Sequence, residues 1–337
     1  TLDIPFRGLA TDAQIAQMQE LGVGYAKFWL EWGGNVEPQL ASYNASLDEF
    51  GVAGEGQPTD LTRDHLAANP EWVEDYAFPE RLDGRFHGLV DWTAMDAQVD
   101  QLVSAGLSPL PWIADAPRAP TIPSREGPAK ITPEPVDHLE HGHAGIGREG
   151  YLAHIELHAA GSARRYSQSP ERIRWWNIEN ELNITSAHLA LGWRVGESWL
   201  DGAFRAEVLA TLKRGIKTGA PNARVTHNVN ACLFDPNWYT ALASWAEHVD
   251  ALGLGGYPNY LSAEPVGTDM LTDAVAAAVA LGERLDKPVL VLETGCSSGP
   301  ASGGWNEALQ AEYVATSSVA AIDAGASGYI YFQLNDR

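Results

Sequence analysis

Two carboxylates stand at corresponding places in two apolar runs. In the first, Ile173 to Ile178 is a short aliphatic and aromatic stretch that leads into Glu179, Asn180 and Glu181. In the second, Lys-Pro-Val-Leu-Val-Leu-Glu-Thr-Gly over residues 287–295, the apolar run ends in Glu293. Short runs of this kind are the signature of buried strands. A parallel α/β barrel presents its catalytic groups at the C-terminal tips of such strands. Two carboxyl groups in different environments can share one task. One keeps a proton for a leaving oxygen, and the other stays ionised to meet a carbon that develops positive charge. Cleavage of a glycosidic bond needs that pair. Glu181 is expected to be the general acid/base, with Trp175 and Trp176 as apolar surroundings that would raise its pKa. Glu293 is expected to be the nucleophile.

The elements that must position these groups alternate between strand and helix signals, which favours a parallel sheet. Expected strands are residues 4–9, 23–32, 107–113, 173–178, 223–229, 249–254, 287–293 and 328–334. Thr11, followed by Gln14, reads as a capping box opening the first helix; Ile15, Met18 and Leu21 mark its buried stripe. Helices are also expected from Asp91, over 149–166, over 197–218 with Phe204, Val208, Leu212 and Ile216 four apart, and over 238–247, 272–285 and 308–324. Pro109 and Pro111 are awkward in the third strand, since each removes a ladder donor. Two long loops, 33–90 and 114–147, would leave the C-terminal ends of the second and third strands, where such loops carry function or local structure. The expected fold is one (β/α)8 barrel domain over residues 1–337, with long βα loops after strands two and three. The expected pattern lacks an eighth helix after the last strand, as in a trimmed sequence or a barrel closed by another segment.

Composition narrows the partners. The 337 residues carry 44 acidic against 22 basic groups, a formal charge of −22. That balance argues against nucleic acid and anionic membranes, and it is compatible with a neutral saccharide. A hydrophobic content of 45% suffices for a full core, and no apolar run approaches the roughly 18 residues that span a bilayer. Only Cys232 and Cys296 are present, without a CxxC pattern; a disulfide and two free thiols fit the sequence equally. Asn44-Ala-Ser46 and Asn183-Ile-Thr185 match glycosylation sequons, triplets that also arise by chance.

The segment Trp176-Asn177-Ile178-Glu179-Asn180-Glu181 resembles the strand-four signature of the clan A glycoside hydrolases, retaining glycosidases on TIM barrels. There an Asn-Glu pair closes strand four, and its Glu is the acid/base. Leu290-Val291-Leu292-Glu293-Thr294-Gly295 resembles the strand-seven nucleophile site. The resemblance implies that Asn180 binds the sugar 2-hydroxyl and that Tyr257, after Asp250-Ala-Leu-Gly-Leu-Gly-Gly, hydrogen-bonds the nucleophile. His227 and Asn228 stand where strand five places substrate-side polar groups. Tyr331-Phe332-Gln333 stands where the clan commonly has a tryptophan platform, a role left to Phe332 or Trp305. Lys27-Phe28-Trp29 departs from the arginine that many members carry on strand two. Glu179 competes with Glu181, since residues two apart on a strand share a face; the Asn directly before Glu181 favours Glu181.

Trp29, Trp112 and Trp305 near expected strand ends offer faces for sugar C–H groups, although core packing accounts for many such tryptophans. Lys27 reads more readily as an ion-pair member than as a hydroxyl ligand. Together these features imply a retaining glycosidase that cleaves a β-linked neutral saccharide without a cofactor, secreted or on the cell surface. Two other readings compete. His138, His141, His143, His154 and His158 form a histidine-rich stretch that a metal-dependent hydrolase could use. A non-catalytic carbohydrate-binding barrel would be expected to have lost one carboxylate, and both are present.

Overall fold

A computed structural model describes residues 9–31, 61–81, 83, 86, 90–114, 118–124, 127–136, 138, 143–168, 173–190, 194–231, 237–257, 268–296 and 306–332. Its strands are β1 (Tyr25–Glu31), β2 (Ser108–Ala114), β3 (Arg118–Ser124), β4 (Gly127–Thr132), β5 (His143–Gly145), β6 (Trp175–Asn180), β7 (Arg224–Asn230), β8 (Ala251–Gly256), β9 (Val289–Thr294) and β10 (Gly328–Tyr329). The helices used below are α1 (Asp12–Glu20), α2 (Arg63–Ala68), α3 (Trp72–Ala77), α4 (Thr93–Ser104), α5 (Gly147–Arg165), α6 (Thr185–Ala190), α7 (Gly202–Gly219), α8 (Trp238–Trp245), α9 (Asp269–Leu285) and α10 (Glu307–Asp323).

Seven strands form one parallel sheet in the order β1-β2-β6-β7-β8-β9-β10. The sheet curls on itself. Leu110 of β2 shares an apolar cluster with Leu292 of β9 and Ile330, although three strands separate β2 from β9 in the sheet. Lys27 of β1 likewise reaches Glu293 of β9. The opposite face, with Phe28, Trp176, Ile178, Val225, Val229, Leu252, Leu254 and Val291, packs into the main core with the helices. Strands covered on both faces read as apolar runs, which is why they were legible in the sequence.

The expected capping box is present: Gln14 N donates to Thr11 Oγ1 (3.3 Å) and Thr11 N to Gln14 Oε1 (2.8 Å). Phe204, Val208, Leu212 and Ile216 are all buried on α7. The expected helix over 197–218 is broken, however. A 3-10 turn, Ser198–Leu200, precedes Asp201, whose carboxylate accepts from Ala203 N (2.9 Å) and starts α7 afresh. The two prolines of β2 prove harmless. Ser108 N donates toward β1, to Gly24 O, so the alternate residues Pro109 and Pro111 face β6. The β2–β6 ladder begins only at Trp112, so no bond there is lost.

The two expected long loops carry structure of their own. The first contains α2 and α3, and Tyr76 of α3 is buried in the core. The second forms a separate three-stranded sheet, β3-β4-β5, antiparallel and then parallel. Short polar strands with prolines do not stand out by hydrophobic period, hence the reading as loop. Expected strand 4–9 lies outside the described residues except for Leu9, and the end of expected strand 328–334 lies outside from residue 333. No helix among the described residues is long and apolar enough to cross a membrane.

Helices α5 and α7 touch backbone to backbone at two glycines. A Cβ on Gly219 would stand 2.1 Å from Ala160 O, and one on Gly215 2.6 Å from Glu156 O. Forcing atoms into such a contact typically costs about 1–3 kcal/mol. Gly219→Ala is therefore expected to lower the urea midpoint by an equivalent amount while leaving the slope of the transition unchanged. Wild-type stability in that variant would show that the two helices can separate without loss.

Candidate active site

Strict alternation would not bring the carboxylates together, and two irregularities in the sheet do so. Between β8 and β9, Leu254 pairs with Val291 but Gly255 pairs with Glu293, so β9 spends an extra residue. That is the count of a β-bulge, which re-aims side chains. Leu292 faces the inner side, within 2.4 Å of the position a Cβ on Gly253 would take. Glu293, the very next residue, reaches the same side: its Cβ lies 3.8 Å from the corresponding position of Gly255. Between β6 and β7, Asn177 pairs with Thr226 and Asn180 with Asn228, again one residue in excess on β6. Glu179 (φ 54°) and Glu181 (φ 45°) are both left-handed there. For residues with a Cβ this backbone is costly and clusters at functional sites.

Glu181 Oε1 lies 3.0 Å from the same Gly255 Cβ position, so the Glu181 carboxylate and the Glu293 side chain both stand over a residue with no side chain, close enough for the Glu293 charge to act on Glu181. Their partners differ. Glu293 is ion-paired with the fully buried Lys27 Nζ through Oε1 and accepts from the Tyr257 hydroxyl at Oε2 (3.0 Å). Glu181 Oε1 accepts from Asn230 Nδ2 (2.9 Å). Burial pushes the Glu181 carboxyl up to about 8, and the nearby Glu293 charge pushes the same way. The Asn230 hydrogen bond and the Lys27 and Arg194 charges pull against them. One carboxyl thus holds its proton at neutral pH beside another that has a cation and a phenol as partners. Trp176 faces the main core, and Trp175 lies against the inner apolar cluster under Arg224.

Glu179 does not share the direction of Glu181. The left-handed turn at Glu179 sends its carboxylate to Arg194 Nη2 (2.7 Å). The same guanidinium group donates to Asn180 O (3.2 Å) and contacts the His188 ring. Asn228 Nδ2 donates to Asn180 Oδ1 (2.6 Å), and Asn177 Nδ2 donates to Asn228 Oδ1 (3.4 Å). Asn177, Asn228 and Asn180 therefore form one amide chain leading to the carboxylates. Trp112 lies under Lys27, whose Nζ is 4.9 Å from the ring centroid. Phe332 meets Tyr257 edge to face at 6.1 Å.

His227 is not brought to this group. It lies on the helix side of β7, edge to face with Trp245 (5.5 Å), with Nδ1 against Ile178 O (2.8 Å). Strand alternation explains the exclusion: Asn228 and Asn230 face inward and His227 between them faces outward. The backbone of Trp29 pairs in register with Trp112, but its side chain, and all of Trp305, lie outside the described residues. Asn230 and Arg194 went unnoticed in the sequence. Alternation from Asn228 could have found Asn230; nothing local marks Arg194.

No protein-family model matches the sequence, and no curated protein matches it. Solved structures do match. A glucosidase from Croceicoccus marinus aligns over 99% of this chain and 59% of its own, at 15% identity and TM-score 0.56. An exo-β-1,4-mannosidase from Opitutaceae bacterium strain TAV5 aligns over 99% of this chain and 51% of its own, at 14% identity and TM-score 0.56. A β-glucuronidase from Bacteroides uniformis aligns over 98% of this chain and 30% of its own, at 12% identity and TM-score 0.55. The chain has the fold of these glycosidases. It spans little more than half of the first two and under a third of the last.

Within that glycosidase fold the histidine-rich stretch is dispersed. His154 and His158 are buried in α5, where burial pushes both down to about 3 and keeps the rings neutral; Tyr76 hydroxyl meets His158 Nδ1 at 3.2 Å. His138, in an isolated bridge, and His143, at the start of β5, exchange two backbone hydrogen bonds, and His141 lies outside the described residues. No three His, Cys, Asp or Glu side chains converge as metal ligands among the described residues. Cys296 is a buried free thiol, raised to about 11 by burial; Cys232 lies outside the described residues.

The raised Glu181 pKa has a consequence for stability. In the unfolded chain this carboxyl ionises near 4.5, and in the folded protein near 8. Between those values the folded state keeps a proton that the unfolded state has lost, so stability falls as pH rises through the window. Glutamine removes that cost. Glu181→Gln is expected to be more stable than wild type, by an amount that grows from about pH 4.5 to 8 and then levels, on the order of 1–3 kcal/mol. Thermal melts of both proteins across this range test it, and a pH-independent difference would contradict the assigned burial.

Proposed function

We propose that the protein is a retaining glycoside hydrolase acting on a β-linked, neutral saccharide, on a (β/α)8 barrel. The observation that carries this reading is the convergence of Glu181 and Glu293 over Gly255 with opposite electrostatic settings. The matched mannosidase and glucuronidase are named for β-linked substrates, and the acidic surface favours a substrate without negative charge.

In the first step a Glu293 oxygen attacks the anomeric carbon as the bond to the glycosidic oxygen breaks, and the Glu181 proton passes to that oxygen. Lys27 and Tyr257 hold the nucleophile in place and keep its charge forward-facing. Once Glu293 carries the sugar it has lost its charge, so its share in raising Glu181 disappears and Glu181 gives up its proton more readily, which suits it to act as the base. In the second step Glu181 takes a proton from water, the water oxygen bonds to the anomeric carbon, and the Glu293–carbon bond breaks. Asn180, held by Asn228, is placed to meet the sugar beside the nucleophile; Trp112 and Phe332 supply apolar faces nearby.

The test is hydrolysis of a panel of aryl β-glycosides and β-linked oligosaccharides by wild type, Glu181→Gln and Glu293→Gln, with and without a chelator. One sugar class is expected to be cleaved with the chelator inert. Glu181→Gln is expected to lose roughly 10²–10⁴-fold in rate on substrates with poor leaving groups, and Glu293→Gln to lose turnover altogether. Proton NMR of the first product should show the β anomer before mutarotation. An α anomer would establish inversion, which calls for carboxyls about 6.5–9.5 Å apart rather than about 5–5.5 Å. Activity surviving both substitutions would remove the carboxylate reading.

A further inference from the structure

Asn183 follows Glu181 by two residues, in the 3-10 turn Leu182–Ile184 that starts directly after it. Its side chain grips the backbone of Asn230 from both sides. Asn183 Nδ2 donates to Asn230 O (2.9 Å), and Asn183 Oδ1 accepts from Asn230 N (2.9 Å). A two-point amide clamp of this kind fixes orientation as well as distance. Asn230 is the last residue of β7, where the ladder to β8 ends opposite Gly255. Its own side chain donates to Glu181 Oε1 (2.9 Å). The chain of contacts therefore leaves the acid/base strand, fixes the end of the neighbouring strand, and returns to the Glu181 carboxyl group.

We propose that Asn183 is a positioning residue: it fixes Asn230, and Asn230 in turn fixes the Glu181 carboxyl group. The proposal rests on the glycosidase reading only for its effect on catalysis; the clamp itself is independent of it. It also gives the Asn183-Ile-Thr185 triplet a structural reason, since the Asn183 amide is engaged at both atoms and the Thr185 hydroxyl donates to Leu182 O (2.7 Å). The charged groups whose fields reach Glu181 are Glu293 from β9, Lys27 from β1 and Arg194 from the segment after α6.

The sign of the effect is definite. A donor to the carboxylate stabilises the charged form and holds the pKa down. Removing it should raise the Glu181 titration, by roughly one pH unit for a hydrogen bond to a charged group. The experiment follows the side-chain carboxyl of Glu181 by carbon-13 NMR titration, with Glu181→Gln to assign the signal, in wild type, Asn183→Ala, Asn230→Ala and the double variant. Asn230→Ala is expected to move the midpoint up, and Asn183→Ala to move it the same way. The double variant should match Asn230→Ala alone, because Asn183 acts only through Asn230. If Asn183→Ala does not fold, Asn183→Ser carries the same expectation, its side chain being too short to hold both backbone groups. An unmoved midpoint in the Asn183 variant, or shifts that add in the double variant, would overturn the proposal.

The pH profile of kcat/KM separates this outcome from that of the functional reading. If Glu181 is the acid, the basic limb moves up together with the NMR midpoint in each variant. A midpoint that moves while the limb stays fixed upholds the clamp and removes Glu181 from the acid/base role.

Discussion

The site depends on the repulsion between two carboxylates held over one glycine in a water-poor interior. Two like charges so placed cannot both be tolerated without help, because the field between them is weakly screened. The chain resolves the conflict asymmetrically. Glu293 is given an ammonium ion from the far side of the sheet and a phenol from the end of β8. Glu181 is given one amide donor and keeps a proton. Burial and partners, rather than the identities of the two residues, set the two carboxyl groups apart.

That arrangement requires departures from regular strand geometry. A plain alternating strand would put Leu292 and Glu293 on opposite faces, and the bulge in β9 lets both face inward, one in the apolar floor and one paired with Lys27. On β6 the excess residue and the left-handed Glu179 separate two glutamates that alternation would have superposed. Glu179 is then spent on Arg194, which also gathers the Asn180 carbonyl. The glycines of β8 complete the device: a side chain at Gly255 would occupy the space where the carboxylates meet.

Much of this was legible in the sequence because buried parallel strands announce themselves as apolar runs and because Glu181 and Glu293 end two of them. Helix α7 and the capping box at Thr11 were legible through period and cap chemistry. What escaped has physical reasons. The small sheet β3-β4-β5 lacks an apolar period. His227 was placed by its neighbourhood to Asn228, while the face it occupies follows from register. Asn230, Arg194 and the pairing of Lys27 with Glu293 are products of the curled sheet, which joins residues far apart in sequence and leaves no local pattern. Pro109 and Pro111 argue against a central strand by type alone, and only the late start of the β2–β6 ladder shows why they are admitted.

Those prolines make the sheet a structure with a seam. Strands β1 and β2 are zipped to each other over seven residue pairs, yet β2 joins β6 through two. Side-chain packing joins the strands where the ladder does not: Leu110 of β2 shares its apolar cluster with Trp175 of β6 and Leu292 of β9. The charge contact crosses the same seam, because Lys27 stands on β1 and its counter-ion Glu293 on β9. One ion pair therefore serves two ends, as a tie between distant strands of the sheet and as the cation beside a buried carboxylate.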